Sequence, residues 1–279
     1  MADMRLLILG SSGYIGTHLM RYLAIHTDWQ TTGLDKKDGF DLLGDRSIPD
    51  IDTYDCIIHL AARTGVRESN LFPHNYMRDN IQMTLNVLNQ ARKYSIPTLV
   101  ASSSSVDELK SAYAYSKYAI EQICISQPYK HFTQIFRPFT VYGHFIEDCW
   151  RSNMLYGKIQ DNRLPDTLFN AHRDYTHVED VCSAIHVLAS NKIKGSAEPY
   201  EIGYCSPITT KRFLQNHGIK TKNLKFIHAD DPSYLESKYT CASPSSLLKL
   251  GWDPVHFKRA HRDDNPYQPW DVYKHRLNT

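Results

Sequence analysis

The chain has 279 residues, 42% of them hydrophobic and 22% charged, the balance of a globular protein and not of a disordered one. Its 32 Lys+Arg against 30 Asp+Glu leave a net charge of +2, which excludes a phosphate-neutralising nucleic-acid binder as the default. The longest apolar runs are a handful of residues where a membrane span needs about 20, there is no secretory h-region, and the six cysteines are scattered without a CxxC pair. A cytoplasmic protein with no membrane segment, disulfide framework or metal site is therefore expected.

Residues 5–9 read as a buried strand, followed by a glycine-rich turn and a helix over 14–26. Further strands are expected at 30–35, 56–60, 97–101 and 132–136. Helical patterns cover 75–94, with Leu85, Leu88 and Ala91 on one stripe, and 112–126, which stops before Pro128. Continuous apolar strands alternating with helices imply an α/β fold: a doubly wound parallel sheet, covered on both faces, over 1–143. Beyond residue 143 the alternation fades. Helical patterns near 149–159, 178–189, 210–217 and 245–250, with a strand-like piece at 200–203, are read as mainly a smaller substrate-binding domain over 144–279. Some of its segments are expected to return to the first domain. The polar tail after Gly251 is left unassigned.

Gly10, Gly13 and Gly16 form a GxxGxxG between the first strand and its helix. Glycine there lets the backbone turn sharply and approach a pyrophosphate at the helix N-terminus. Asp35, about 20 residues further on at the second strand's end, is placed to accept ribose hydroxyls and to repel a 2′-phosphate. NAD is favoured over NADP on this ground, although Lys36 and Lys37 follow directly.

Tyr113 and Lys117 are four apart, hence on one helix face. Tyr234 and Lys238 share that spacing but lie in a Pro/Ser-rich stretch and are read as surface. The first pair follows a strand ending in Ser102-Ser103-Ser104-Ser105, and ligands of parallel sheets sit at the carboxyl ends of strands. A nearby ammonium and a nicotinamide cation would lower the Tyr113 pKa from about 10, making it a general base, with a serine sharing the proton.

The stretches LLILGSSGYIG, IIHLAARTGVRES, DNIQMTLNVLNQAR, LVASSSSV, YAYSK, FRPFTVYG, RDYTHVEDV, YEIG and LKLGWDP occur in order from Met4 to about Pro254. Together they resemble the extended short-chain dehydrogenase/reductase family, specifically its NAD-dependent epimerase/dehydratase group acting on nucleotide sugars. The resemblance implies a catalytic set of Ser103, Tyr113 and Lys117. It places the cofactor against Gly10, Gly13, Tyr14, Ile15, Gly16, Asp35, Leu60, Ala61, Ala62, Asn80, Tyr113, Lys117 and Pro138, with Asp41 and Leu42 beside the adenine. It assigns Arg173 to the substrate diphosphate, Asn153 to a phosphate contact, and Arg67, Ser104 and Thr140 to the sugar.

The positions of the family's dehydratase acid and base are here Ser104 and Ser105, and the decarboxylase glutamate is also missing. GVRES, SSSSV and FTVYG look most like the UDP-glucuronate and UDP-hexose 4-epimerases. The chain departs from the pattern where Asp107-Glu108 replaces a Tyr-Gly. No arginine matches the second diphosphate ligand, near which His228 or Lys225 would stand. The short 36–41 segment looks like the keto-sugar reductases.

The resemblance therefore implies a homodimeric nucleotide-sugar 4-epimerase using NAD, paired through the 75–94 and 112–126 helices. An NAD(P)H-dependent 4-keto-sugar reductase is the alternative, and a non-catalytic NAD-binding sensor the third reading.

Overall fold

The computed structural model describes residues 4–44, 46–144, 154–191, 193, 195, 198–228, 230 and 236–257. Its elements in chain order are β1 (Arg5–Leu9), α1 (Tyr14–His26), β2 (Gln30–Leu34), β3 (Cys56–His59), α2 (Val66–Leu71), α3 (Pro73–Tyr94), β4 (Thr98–Ala101), α4 (Ala112–Cys124), β5 (Thr133–Pro138) and β6 (Val141–Tyr142). There follow α5 (Leu155–Gln160), β7 (Thr167–Asn170), β8 (His172–Arg173), β9 (Thr176–His177), α6 (Val178–Ser190), β10 (Tyr200–Ile202), β11 (Ile208–Thr209), α7 (Thr210–Asn216), β12 (Lys225–His228) and α8 (Ser245–Lys249).

Six strands form one parallel sheet in the order β10-β5-β4-β3-β1-β2. The alternation of side chains along β1 divides the core. Leu6 and Ile8 join α1 and α6 through Leu19, Leu23, Val181 and Ile185. Leu7 and Leu9 join α3 and α4 through Val87, Leu88, Ala91 and Ile120. Helices thus cover both faces, as a doubly wound sheet requires. Beyond β5 the chain crosses between layers: α6 packs beside α1, and β10 pairs with β5 at the sheet's edge. Outside the large sheet, β7 pairs with β12, β8 with β11 and β6 with β9, each a separate two-stranded ladder.

The unassigned tail is not all surface. Trp252 is buried and donates its Nε1–H to the Asp180 carbonyl at 3.1 Å and to Ser183 Oγ at 3.0 Å. Asn153, Tyr234 and the first part of the expected 149–159 helix, residues 149–153, lie outside the described residues, and α5 covers the rest from Leu155. Among the described residues, no helix is long and apolar enough to cross a membrane.

Candidate active site

The carboxyl ends of five parallel strands carry the residues singled out from the sequence. Gly10 follows β1, Asp35 follows β2, Leu60–Ala62 follow β3, Ser102 and Ser103 follow β4, and Pro138 closes β5. β1 leads to β2 on one side and lies against β3 on the other, so the strand order reverses at the glycine loop, where open α/β sheets bind ligands.

The loop fits a dinucleotide phosphate by what it leaves out. Gly10 has φ +88°, and a Cβ there would lie 2.6 Å from the Ala61 amide nitrogen. A Cβ on Gly16 would lie 2.2 Å from the Gly10 carbonyl oxygen. The α1 N-cap is Gly13, with no side-chain cap bond and no acid in the first turn, so the helix's first amides and its positive dipole end are left for an anion. Tyr14 is 8% exposed and edge-on to His18, which leaves its backbone as the part able to meet a phosphate.

Asp35 joins the second strand to this loop. Its Oδ2 accepts from the Ser12 amide at 3.2 Å and its Oδ1 from the Lys37 amide at 2.9 Å. Lys36 turns to Asp41, 2.8 Å away, and this contact is the largest cause holding the Asp41 carboxyl below the usual range. Asp41 also accepts from the Leu43 amide at 3.0 Å, while Leu42 is buried with its carbonyl held by Asn86 at 2.7 Å.

Asn80 is fully engaged within the protein. Its Oδ1 accepts from the Arg63 amide at 2.7 Å, and its Nδ2 donates to the Arg63 carbonyl at 3.1 Å and to Ser116 Oγ at 2.9 Å. It ties the loop after β3 to helix α4, the geometry of a positioning residue.

Helix α4 is started by Ser111, whose hydroxyl accepts from the Ala114 amide at 3.1 Å. Lys117 is 4% exposed and donates from Nζ to the Ala101 carbonyl at 2.8 Å; burial lowers its pKa to about 8. Ser103 caps the turn that follows β4, its hydroxyl accepting from the Ser105 amide at 3.2 Å. Within the protein alone, without the nicotinamide on which the expected lowering partly rests, the Tyr113 pKa is raised. Desolvation is the largest influence and raises it, and a hydrogen bond with Ser103 works the other way. The Lys117 ammonium is spent on the Ala101 carbonyl, so within the protein alone desolvation of the phenol prevails.

Glu121, one turn beyond Lys117, fixes this arrangement. It accepts from Ser102 Oγ at 2.5 Å and from Arg137 Nε and Nη2 at 2.8 and 2.7 Å. Arg137 also meets Asp107 at 3.3 Å and Glu201 at 3.5 Å, which gives the departure at Asp107 a structural partner.

Among the substrate candidates, Ser104 begins the turn after Ser103, and the Thr140 carbonyl accepts from the Thr176 amide at 3.0 Å. Arg67 on α2 and Arg173 on β8 both reach Glu236, at 3.3 and 3.7 Å. His228 pairs with Asp230 and Lys225 is exposed on β12. Lys158 of α5 instead shares the field of Arg67 and Glu236. Neither Lys158 nor Glu236 carried a sequence signal, since each is a lone charge far along the chain from its partners. Lys238, from the second Tyr/Lys pair, is held by Asp230 at 2.6 Å.

Spacing along the chain argues against metal ligation by His177 or His256, yet donor atoms of His177, Glu179 and His256 lie within 4.8 Å of one another. His256 stacks on His177 at 4.2 Å and pairs with Glu179 at 2.8 Å, and His177 Nδ1 is occupied by the Glu179 amide.

The sequence pattern of the NAD dependent epimerase/dehydratase family matches residues 6–203. The chain belongs to that family. NAD is the cofactor that membership brings, in agreement with the glycine cradle and Asp35. A GDP-6-deoxy-D-mannose reductase of Pseudomonas aeruginosa is 31% identical over 223 residues, covering 69% of this chain and 72% of the reductase. A UDP-glucuronate 4-epimerase of Thermodesulfobacterium geofontis is 28% identical over 267 residues, covering 81% and 78%. The crystal structure of Thermus thermophilus UDP-glucose 4-epimerase with NAD shares the fold at a TM-score of 0.73 and 23% identity, over 97% of this chain and 99% of that one.

Proposed function

We propose that the chain is an NAD-dependent nucleotide-sugar 4-epimerase acting on a UDP-hexose or UDP-uronate. One observation carries this reading: Ser103, Tyr113 and Lys117 stand at the sheet's carboxyl edge, while the two positions after Ser103 hold hydroxyls and no carboxylate. Tyr113 takes the proton of the sugar's C4 hydroxyl, and Ser103 shares it across the hydrogen bond. Lys117, protonated below about pH 8, favours the phenolate once the Ala101 contact is exchanged for the ligand. NAD, when bound, supplies the hydride acceptor and donor for C4. Arg173 retains the diphosphate while the 4-keto sugar turns to present its other face, and Tyr113 returns the proton. The region 144–279 mainly serves to hold the sugar.

The test is incubation with a panel of UDP- and dTDP-sugars, with product stereochemistry read by NMR and Tyr113→Phe as control. Interconversion of a C4 pair that Tyr113→Phe abolishes supports the proposal; no interconversion of any pair refutes it. A 4-keto-sugar reductase is the second reading, favoured by the 31% identical GDP-6-deoxy-D-mannose reductase and the short 36–41 segment. Stoichiometric consumption of NAD(P)H with a keto-sugar selects it. A homodimer paired through α3 and α4 completes the proposal: Tyr94 on α3 and Tyr115 and Tyr118 on α4 are exposed aromatic side chains that a second copy would cover. A monomeric mass in solution would exclude it.

A further inference from the structure

Two cysteines that lie 36 residues apart in the chain meet in the fold. Cys241 Sγ is 3.6 Å from Cys205 Sγ, and the Cys241 thiol donates to the Cys205 sulfur. Both are free thiols and half-buried, whereas Cys56, Cys124 and Cys182 are buried. Tyr239, whose hydroxyl bonds with Cys241, is 55% exposed, so solution reaches the edge of the pair.

The backbone holds the two sulfurs together. Asp174 Oδ2 accepts from the Cys205 amide at 2.8 Å and from the Ala242 amide at 2.9 Å, while Oδ1 accepts from the Tyr204 amide at 3.0 Å. The segment after β10 and the segment before α8 are thus tied to one buried carboxylate. They also touch directly. Glu201 accepts from the Ser243 amide at 2.6 Å, and a Cβ on Gly203 would lie 2.5 Å from the Ala242 Cβ. Cys205 holds φ +54°, a left-handed conformation that glycine or asparagine adopts more readily, so its backbone setting does not account for a cysteine there. The same two segments flank β8. Ile208 of β11, just beyond Cys205, pairs with Arg173. On the other edge the His172 amide donates to the Lys238 carbonyl at 3.0 Å, and the Thr240 amide to the His172 carbonyl at 3.2 Å.

We propose that Cys205 and Cys241 are a redox-active thiol pair that closes to a reversible disulfide and latches together the two segments flanking β8. The latch goes beyond the nucleotide-sugar reading and does not depend on it. The oxidant is a low-molecular-weight disulfide. The Cys205 thiolate attacks one of its sulfurs, forming a mixed disulfide and expelling one thiolate. Cys241 gives its proton to that thiolate and attacks the Cys205 sulfur, expelling the second. Two protein thiols are oxidised and one disulfide is reduced to two thiols. The sulfurs close from 3.6 Å to about 2.0 Å while Asp174 keeps hold of both backbones.

The test is treatment of the folded, cofactor-loaded full chain with oxidised glutathione, followed by non-reducing peptide mapping and thermal melting. A linked Cys205–Cys241 peptide that dithiothreitol removes is expected. The bond closes a loop of 36 residues, so the melting temperature should rise by about 4–10 °C. Cys241→Ser is expected to stop at a glutathione adduct on Cys205, and Cys205→Ser to give no linked peptide and no rise. Mapping of the wild type reads the bond directly, whether or not either variant folds. No linked peptide from the folded chain, a linked peptide only after unfolding in urea, or a melting temperature unchanged or lowered by the bond overturns the inference.

Discussion

Removing the Glu121 charge tests the frame that holds the catalytic helix. Glu121 is 4% exposed and forms a two-pronged pair with Arg137, at 2.8 and 2.7 Å, while accepting from Ser102 at 2.5 Å. Breaking one partner of a buried ion pair costs about 3–5 kcal/mol, because the other charge stays desolvated. Arg137 keeps Asp107 at 3.3 Å and Glu201 at 3.5 Å, so Glu121→Gln falls at the lower end, about 3 kcal/mol. For a domain of this size that is a fall in melting temperature of about 6–12 °C. Urea unfolding followed by tryptophan fluorescence, with circular dichroism as a second probe, measures it. Arg137→Met alone should cost about as much, but Glu121→Leu with Arg137→Met less than the two single losses together, since no orphaned charge remains. A loss below about 1 kcal/mol for Glu121→Gln would show that the network is surface-like in energy and would refute the argument.

Gly10→Ala forces a side chain into φ +88° and a Cβ to within 2.6 Å of a backbone nitrogen, so a cost of about 2–4 kcal/mol and loss of bound NAD are expected, read by cofactor release on gel filtration. Asp35→Asn removes the charge that repels a 2′-phosphate, and the NAD-to-NADP affinity ratio should fall about tenfold; an unchanged ratio would remove Asp35 from cofactor selection. The pKa of Lys117 is lowered on folding from 10.5 to about 8, so between those values the unfolded chain binds more protons and stability rises with pH. Relative to Lys117→Met, the wild type should gain stability between pH 7.5 and 9.5 in urea unfolding; a flat difference would mean that the ammonium is not desolvated.

What lay in the sequence was whatever is local. The strand–glycine–helix turn needs only neighbouring residues, so β1, α1 and the Gly10–Gly16 cradle could be read directly, and Asp35 followed from a fixed distance along one βαβ unit. The apolar strands of the parallel sheet were legible because burial on both faces writes a continuous hydrophobic run. Tyr113 and Lys117 share one helix, so their spacing carried their geometry. The two-residue ladders of β6, β8, β9 and β11 had no periodicity to read, since two residues hold no repeat. Only tertiary structure decided which charges meet. Glu236 faces Arg67 and Arg173, Glu121 faces Arg137, and Asn80 closes onto Ser116, each across a turn of the fold that brings distant segments together. It also decided how strongly the Tyr113 phenol is desolvated, because desolvation depends on everything packed around a group, whereas the sequence names only its neighbours along the chain.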